Sequence, residues 1–141
     1  MLVIDVQNAM FAKTNPKYEG ESLLKNLQDV MNKTHPDNMP VFFIQHNDEE
    51  FISGTPLWEI HSLIVPHEGD IVIQKHTSDS FHKTELLEKL VSKQSQNLIF
   101  VGNQNEYYTD ATILHAFSLG DHVTLIKDVH RTWNSNILAA Q

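Results

Sequence analysis

The sequence has no cysteine, which excludes disulfide bonds, thiolate metal ligands and catalysis by a thiol of this chain. Basic residues are also scarce: 10 lysines and arginines stand against 18 acidic residues, for a formal net charge of −8. This charge makes nucleic-acid phosphate an unfavourable partner. No apolar run approaches the ~20 residues of a membrane-spanning helix, so no membrane partner is expected. The first residues read as a strand without a basic leader, and we therefore expect a cytoplasmic protein.

The residues that are present suit a globular protein, with 40% hydrophobic and 20% charged residues in a chain of 141. This length predicts a single domain over residues 1–141. The predicted strands are Leu2–Val6, Val41–Ile44, Ile71–Lys75, Asn97–Val101 and His122–Ile126, and the predicted helices are about Glu21–Lys33, Lys83–Ser92, Tyr107–Leu119 and Asn134–Gln141. Strands and helices that alternate in this way predict an α/β fold of three layers, α/β/α, around a central, mostly parallel sheet. The chain stops as the last helix begins, which suggests that this helix is truncated.

The stretch from Asn97 to Thr112 is the one around which the chain is organised. An apolar run ends at Gly102, a short polar turn follows, and a helical pattern begins near Tyr107. In an open α/β sheet, such a strand, turn and helix present a site at the carboxyl end of the strand. The free N–H groups of the helix start can hold developing negative charge, as an oxyanion hole does. The residue at that start is Tyr108.

Two charged residues end other predicted strands. Asp5 lies at the end of the first apolar strand, where a buried carboxylate is costly without a purpose, although it could instead cap a turn. Lys75 ends the third strand. Because the ends of parallel strands converge, we expect Asp5 and Lys75 to lie within hydrogen-bonding reach of each other beside Tyr108. A carboxylate, an ammonium and a nucleophile at one place would make a hydrolytic site.

Residues 48–66 form the longest stretch without a regular pattern. Long loops within compact domains are often lids or binding loops. This one contains Trp58, which could form the wall of a pocket or could simply cover the sheet. Both interpretations stay open from the sequence.

Several motifs occur in order along nearly the whole chain. They are LVIDVQNAMF, IQH, PLWEIH, GDIVIQKHTSDSFHKTEL, LIFVGNQNEYYTDAT and DVHRTW. Together they resemble the isochorismatase-like hydrolase superfamily, the cysteine hydrolase family. The resemblance implies a Rossmann-like topology, a small-molecule ligand, no cofactor and self-association into a homo-oligomer.

The resemblance also implies roles for individual residues. The family's catalytic triad is Asp, Lys and Cys; Asp5 and Lys75 match the first two, and Tyr108 occupies the Cys position. In the family the Asp takes the thiol proton, the Lys favours the thiolate, and the thiolate attacks a small amide. The family's oxyanion hole would be formed by the backbone N–H groups of Gln104 and Tyr108, next to a cis peptide bond between Asn103 and Gln104.

Our leading hypothesis places the ligand in a pocket at this site. Its walls would be Phe11, Trp58, Phe81 and Tyr108. His61 matches a loop motif of the family and is expected to order the loop and to contribute to substrate binding.

Tyr108 is a poor replacement for a cysteine nucleophile. A phenol has a pKa of ~10 against ~8.5 for a thiol, and its oxygen lies far beyond the place of the sulfur. We therefore interpret the chain as an isochorismatase-family protein that acts on or binds a small amide or aromatic acid and whose cysteine hydrolase site has degenerated. One alternative is a cysteine-independent vinyl-ether hydrolase of isochorismatase type, with Asp5 as general acid. Another is a non-catalytic, oligomeric binding module.

The nine histidines raise the question of a metal site. The nicotinamidase branch of the family holds a metal with an Asp-x-His pair, but the second strand here ends in Gln45-His46-Asn47. His46, His61 and His67 could gather on the long loop, yet no spacing supports this. We expect ordinary surface or pocket histidines and no metal.

Overall fold

The computed structural model describes residues 1–11, 20–103 and 108–131. The described strands are β1 (Leu2–Ile4), β2 (Phe42–His46), β3 (Ile71–Lys75), β4 (Asn97–Asn103) and β5 (His122–Arg131). The helices are α1 (Gly20–Thr34), α2 (Leu86–Ser92) and α3 (Tyr108–Ser118), and a short 3₁₀ helix spans Asn8–Phe11. Among these residues no helix has the length and apolarity needed to cross a membrane.

The five strands described form one parallel sheet in the order β3-β2-β1-β4-β5. Ile4 of β1 pairs with Ile44 of β2 on one side and with Gly102 of β4 on the other. The strand order therefore reverses between β1 and β4, and ligands of such sheets bind outside the carboxyl ends of the strands at this switch point. The predicted α/β class with a parallel central sheet is confirmed.

Helices cover both faces of the sheet, which explains why the strands are apolar without polar alternation. On one face the buried residues of α1 pack on the strands; this core contains Leu23, Leu24, Leu27, Met31, Val3, Phe43 and Val101. On the other face α2 and α3 pack on the alternate strand residues; this core contains Leu86, Leu90, Ala116, Leu2, Ile4, Phe42, Ile73 and Phe100. Both sides of the central strands are thus buried, and their carboxyl ends stay at the edge.

Most predicted boundaries lie within two residues of the observed ones, and those of β1, α2 and β5 differ for reasons visible in the backbone or by a longer stretch. β1 ends at Ile4 rather than Val6, because Asp5 has a positive φ of 54° and leaves the extended conformation. α2 begins at Leu86 rather than Lys83, whose φ of 51° is not helical. β5 continues to Arg131 instead of ending at Ile126. The predicted last helix, Asn134–Gln141, lies outside the described residues.

Candidate active site

Asp5 and Lys75 meet at the carboxyl edge of the sheet. The Nζ of Lys75 lies 3.2 Å from Oδ2 of Asp5, and both side chains are buried, with 0% and 1% of their surface exposed. The backbone N–H of Asp5 donates to the carbonyl of Ile44, which holds the end of β1 against β2. Asp5 adopts a left-handed conformation, with φ +54°, that is uncommon for non-glycine residues. The predicted proximity of the two groups is confirmed; their catalytic role stays a prediction.

Gly102 brings β4 close to the same point. Its φ is +117°, and a Cβ at this position would meet the carbonyl oxygen of Ile4 and lie 2.9 Å from the Ile4 nitrogen. The ladder between β4 and β5 shifts its register here, between Phe100 and Gly102. Only glycine fits this approach, so Gly102 sets the distance between β4 and the strand that carries Asp5.

Gln7 holds the ends of β1 and β2 together with its side chain. Its Oε1 accepts from the backbone N–H of His46 at 2.9 Å, and its Nε2 donates to the carbonyl of His46 at 3.0 Å. The carboxamide thus takes the place of a backbone partner beyond the last paired residue of β1. Its Nε2 also donates to the carbonyl of Trp58 at 2.8 Å, which connects the strand ends to the long loop.

The long loop, residues 47–66, is fastened to the segment that follows Asp5. The backbone N–H groups of Asn8 and Ala9 donate to loop carbonyls, and the N–H of His61 donates to the carbonyl of Val6. Gln7 and Ile60 form an isolated antiparallel bridge. These bonds make the described loop a fixed wall beside β1 rather than a free lid.

Side-chain amides also link the loop to β2 and β3. Gln45 Nε2 donates to the carbonyl of Trp58 at 3.0 Å, and Gln74 Nε2 donates to Gln45 Oε1 at 2.6 Å. Asn47 Nδ2 donates to Gln74 Oε1 at 2.7 Å. The indole Nε1 of Trp58 donates to Asn47 Oδ1 at 2.9 Å. The backbone N–H of Asn47 donates to the carbonyl of Lys75, so this network reaches the strand end that carries the lysine.

On the other face, the turn after β3 is attached to α3. Thr112 Oγ1 accepts from the backbone N–H of Ser80 at 3.0 Å and lies 3.0 Å from Ser80 Oγ. His115 Nδ1 is hydrogen-bonded to Oδ2 of Asp79. The helix whose first residue is Tyr108 is therefore positioned against the turn that follows Lys75.

The predicted pocket residues lie in different surroundings. Phe11 packs on the α1 side of the sheet, and its ring meets His61 edge to face with centroids 5.2 Å apart. Trp58 is half-buried. Phe81 is buried in the core beneath α2 and α3 and contacts the ring of His115. The structure therefore gives Phe81 a packing role. The contribution of Phe11, Trp58, His61 and Phe81 to substrate binding stays a prediction.

Part of the predicted oxyanion hole lies outside the described residues. Tyr108 is the first residue of α3, one position later than the predicted helix start. Gln104 and the predicted cis peptide bond between Asn103 and Gln104 lie outside the described residues, and the role of the Tyr108 side chain stays a prediction.

The three loop histidines lie apart from one another. His46 Nε2 is 2.9 Å from Oδ2 of Asp48, whereas His61 contacts Phe11 and His67 stacks on His35. Within the ranges 1–11, 20–103 and 108–131, no group of three or more metal-ligating side chains is found.

Two pKa values near this edge are shifted. Burial acts to raise the pKa of Asp48, but hydrogen bonds from the backbone N–H groups of Phe51 and Glu50 and from His46 outweigh it, so the pKa is lowered. Burial lowers the pKa of His61. His61 Nδ1 accepts a hydrogen bond from the backbone N–H of Leu63 at 3.2 Å, which agrees with a neutral ring.

Sequence reasoning missed the amides at the strand ends, of which Gln7 and Gln45 are buried and Gln74 is exposed. The signal was present, because polar amides end otherwise apolar strands at Gln7, Gln45 and Gln74. An amide in such a place needs partners for both its oxygen and its nitrogen.

Comparisons with known proteins agree with this geometry. The model of the isochorismatase domain matches residues 1–136. The uncharacterized isochorismatase family protein YddQ of Bacillus subtilis (strain 168) is 32% identical over 94% of this chain and 77% of its own length. A streptothricin hydrolase of Streptomyces noursei is 26% identical over 95% of this chain, which spans only about half (54%) of that protein.

Solved structures share the fold. A crystal structure of an isochorismatase family protein superposes with a TM-score of 0.91 at 25% identity, covering 99% of this chain and 84% of that one. The N-carbamoylsarcosine amidase of Thermoplasma acidophilum has a TM-score of 0.83 at 18% identity, covering 92% of this chain and 81% of that one, and shows the fold alone. The domain match and the similarity to YddQ lead to one conclusion: this chain belongs to the isochorismatase family.

Proposed function

We propose that this chain uses the family's small-molecule site to bind a small amide or aromatic acid, and that it does so without the covalent cysteine route. The observation that carries the proposal is the buried Asp5–Lys75 ion pair, at 3.2 Å, in a chain that has no cysteine. The acid and base partners of a hydrolase are kept, while the thiol they would serve is missing.

A buried ion pair is costly, and a ligand-binding role would explain why the chain has one. Removing two charges from water costs several kcal/mol per ion, and their attraction seldom exceeds this cost. Replacing a buried pair by apolar residues of similar volume is often neutral or stabilising. The pair and the left-handed backbone of Asp5 therefore favour a ligand-binding role over a purely structural one.

The two groups complement a small amide or acid. An ammonium can donate to the carbonyl or carboxylate oxygen of a ligand, and a carboxylate can accept from an amide N–H. The start of α3, an 11-residue helix, can add free N–H groups for an oxygen that carries negative charge.

The vinyl-ether alternative receives less support. It requires Asp5 to donate a proton to an enol carbon. Oδ2 of Asp5 instead faces the ammonium of Lys75 at 3.2 Å, which places the carboxylate to accept a hydrogen bond.

The test of the proposal is to restore the nucleophile. Wild-type protein should show no burst and no acyl adduct by intact-mass spectrometry with benzamide or p-nitrophenyl acetate. Tyr108→Cys should give an acyl adduct and a gain in ester or amide turnover, because Asp5 and Lys75 are in place to serve the thiol. Tyr108→Ala is the matched control, since it opens the same volume without a nucleophile.

Each outcome decides between the hypotheses. Turnover by wild type that is lost in Tyr108→Phe would overturn the proposal. Consumption of isochorismate by wild type, abolished in Asp5→Asn, would support the vinyl-ether reaction instead. If Tyr108→Cys stays inactive and wild type binds neither benzamide nor benzoate, the non-catalytic oligomeric module becomes the better account.

A further inference from the structure

The amides of Gln45, Asn47 and Gln74 form a closed ring with Trp58, in which every member donates to the next. We call it the amide ring. It runs from the indole Nε1 through Asn47, Gln74 and Gln45 back to the Trp58 carbonyl, with distances of 2.9, 2.7, 2.6 and 3.0 Å. The indole N–H can only donate and the carbonyl can only accept. These two ends fix the orientation of all three amides, so no member can flip without breaking bonds.

The amide ring is attached to both strand ends that carry the ion pair. Asn47 donates its backbone N–H to the carbonyl of Lys75 at 2.9 Å. Gln7, two residues after Asp5, donates to the same Trp58 carbonyl that Gln45 reaches. Trp58 is therefore held at its backbone by two donors and at its indole by one acceptor.

We propose that Gln45, Asn47 and Gln74 are positioning residues that hold Trp58 as a rigid wall of the site, offering the face of its indole to a planar, unsaturated part of the ligand. This inference rests on the proposed function and narrows its ligand class to a planar amide or acid.

The hydrogen bonds of Trp58 determine which of its groups can contact a ligand. Its N–H is bonded to Asn47, and its carbonyl accepts two amide donors, so neither is directed at a ligand. Trp58 as a whole residue is half-buried, so part of its surface is accessible. A fixed aromatic face binds best to a flat group that stacks on it or meets its edge. Saturated rings of the same size gain less from such a surface.

The first experiment tests the amide ring without any ligand. In a Trp133→Phe background, NMR follows the indole Hε1 signal of Trp58 and its exchange with water. Gln74→Glu keeps the acceptor for Asn47 but replaces the donor to Gln45 with an oxygen, which opposes the Gln45 oxygen. Gln74 is exposed, so the fold should tolerate the change. Gln96→Glu is the matched control, with the same charge change at an exposed position before β4.

If the amide ring acts as one unit, a change at Gln74 should alter the indole of Trp58. The Gln74 side chain bonds to Asn47 and Gln45 rather than to the indole, yet Gln74→Glu should shift the indole signal and speed its exchange by about fivefold or more, the equivalent of one lost hydrogen bond. The control should leave both unchanged. An unchanged indole signal in Gln74→Glu would overturn the positioning role, whatever the ligand proves to be.

The second experiment tests the ligand class. Calorimetric titration compares benzamide with cyclohexanecarboxamide, which has the same amide on a saturated ring. Wild type and Gln96→Glu should prefer benzamide, and Gln74→Glu should lose most of this preference while still binding both. Equal affinity of wild type for the two amides would contradict the aromatic wall. Failure of wild type to bind either amide would contradict the proposed ligand class, while the NMR result would still decide the role of the amide ring.

Discussion

The two edges of the sheet both contain ionisable groups, but they use them differently. At the carboxyl edge, Asp5 and Lys75 form an ion pair that is completely buried. At the amino edge, His35 Nε2 lies 2.9 Å from Oδ2 of Asp70, and the rings of His35 and His67 stack with centroids 3.6 Å apart. The amino-edge groups join the end of α1 to the turn before β3, whereas the carboxyl-edge pair joins the ends of β1 and β3.

The ionisable groups at the amino edge have a structural role. Asp70 Oδ2 accepts from the backbone N–H of His67, and the N–H of Asp70 donates back to the carbonyl of His67. His35 follows α1, so its bond to Asp70 joins the end of that helix to the turn before β3. Each contact here completes a connection of the fold. A buried charge alone therefore does not mark a site, and the ligand-binding role of the carboxyl-edge pair stays a prediction.

The largest expected effect comes from breaking the carboxyl-edge pair on one side. Lys75→Met leaves the Asp5 carboxylate buried without its ammonium, and should lower the free energy of unfolding by roughly 3–5 kcal/mol. Urea denaturation measures this. Asp70→Asn is the amino-edge counterpart and should lose only about 1 kcal/mol, as for one hydrogen bond. Equal losses for the two variants would remove the distinction between the edges.

Two glycines, one at each edge of the sheet, should differ in how well they tolerate an added side chain. Gly102→Ala should destabilise by about 3 kcal/mol, because the new Cβ meets the backbone of Ile4 at a φ of +117°. Gly69 at the amino edge has φ +91° with nothing within 4 Å of its added Cβ, so Gly69→Ala should lose about 1 kcal/mol. Thermal unfolding of both variants tests this. A tolerated Gly102→Ala would show that β4 can move away from Asp5.

The smallest expected effect is a change in pH dependence at His61. Its pKa is lowered by burial from the usual 6.5, so the unfolded chain binds the proton more readily than the folded one. Stability should therefore fall as the pH drops through this range, and His61→Gln should flatten that fall. Chemical denaturation between pH 5 and 8 measures the slope, and His82→Gln corrects for the loss of one histidine. A steeper fall in His61→Gln would contradict the sign.

Much of the fold followed from short-range patterns. β3 has the predicted bounds, Ile71–Lys75, because a short apolar run between a Gly-Asp turn and polar residues leaves little choice. The meeting of Asp5 and Lys75 followed from the rule that parallel strands end at one edge. The late start of α2 was missed, since a positive φ at Lys83 has no signal in the sequence.

The amide ring could not be predicted, because it depends on the lateral order of the strands. Gln45 and Gln74 become neighbours only once β2 and β3 pair in register. The same topology explains His67. The loop after β2 must cross from the carboxyl edge to the amino edge before a parallel β3 can begin, which carries His67 away from His46.

The most direct test of the proposed ligand-binding role replaces both members of the carboxyl-edge pair. Asp5→Asn combined with Lys75→Met keeps similar volumes and removes both charges, and calorimetric titration with benzamide and benzoate measures binding beside urea denaturation. The stability of the double variant should lie within about 1 kcal/mol of wild type, or higher, because a buried pair contributes little net stability. Binding of both ligands should be lost. A double variant that binds as tightly as wild type, or that unfolds as readily as Lys75→Met alone, would contradict a pair kept for its ligand.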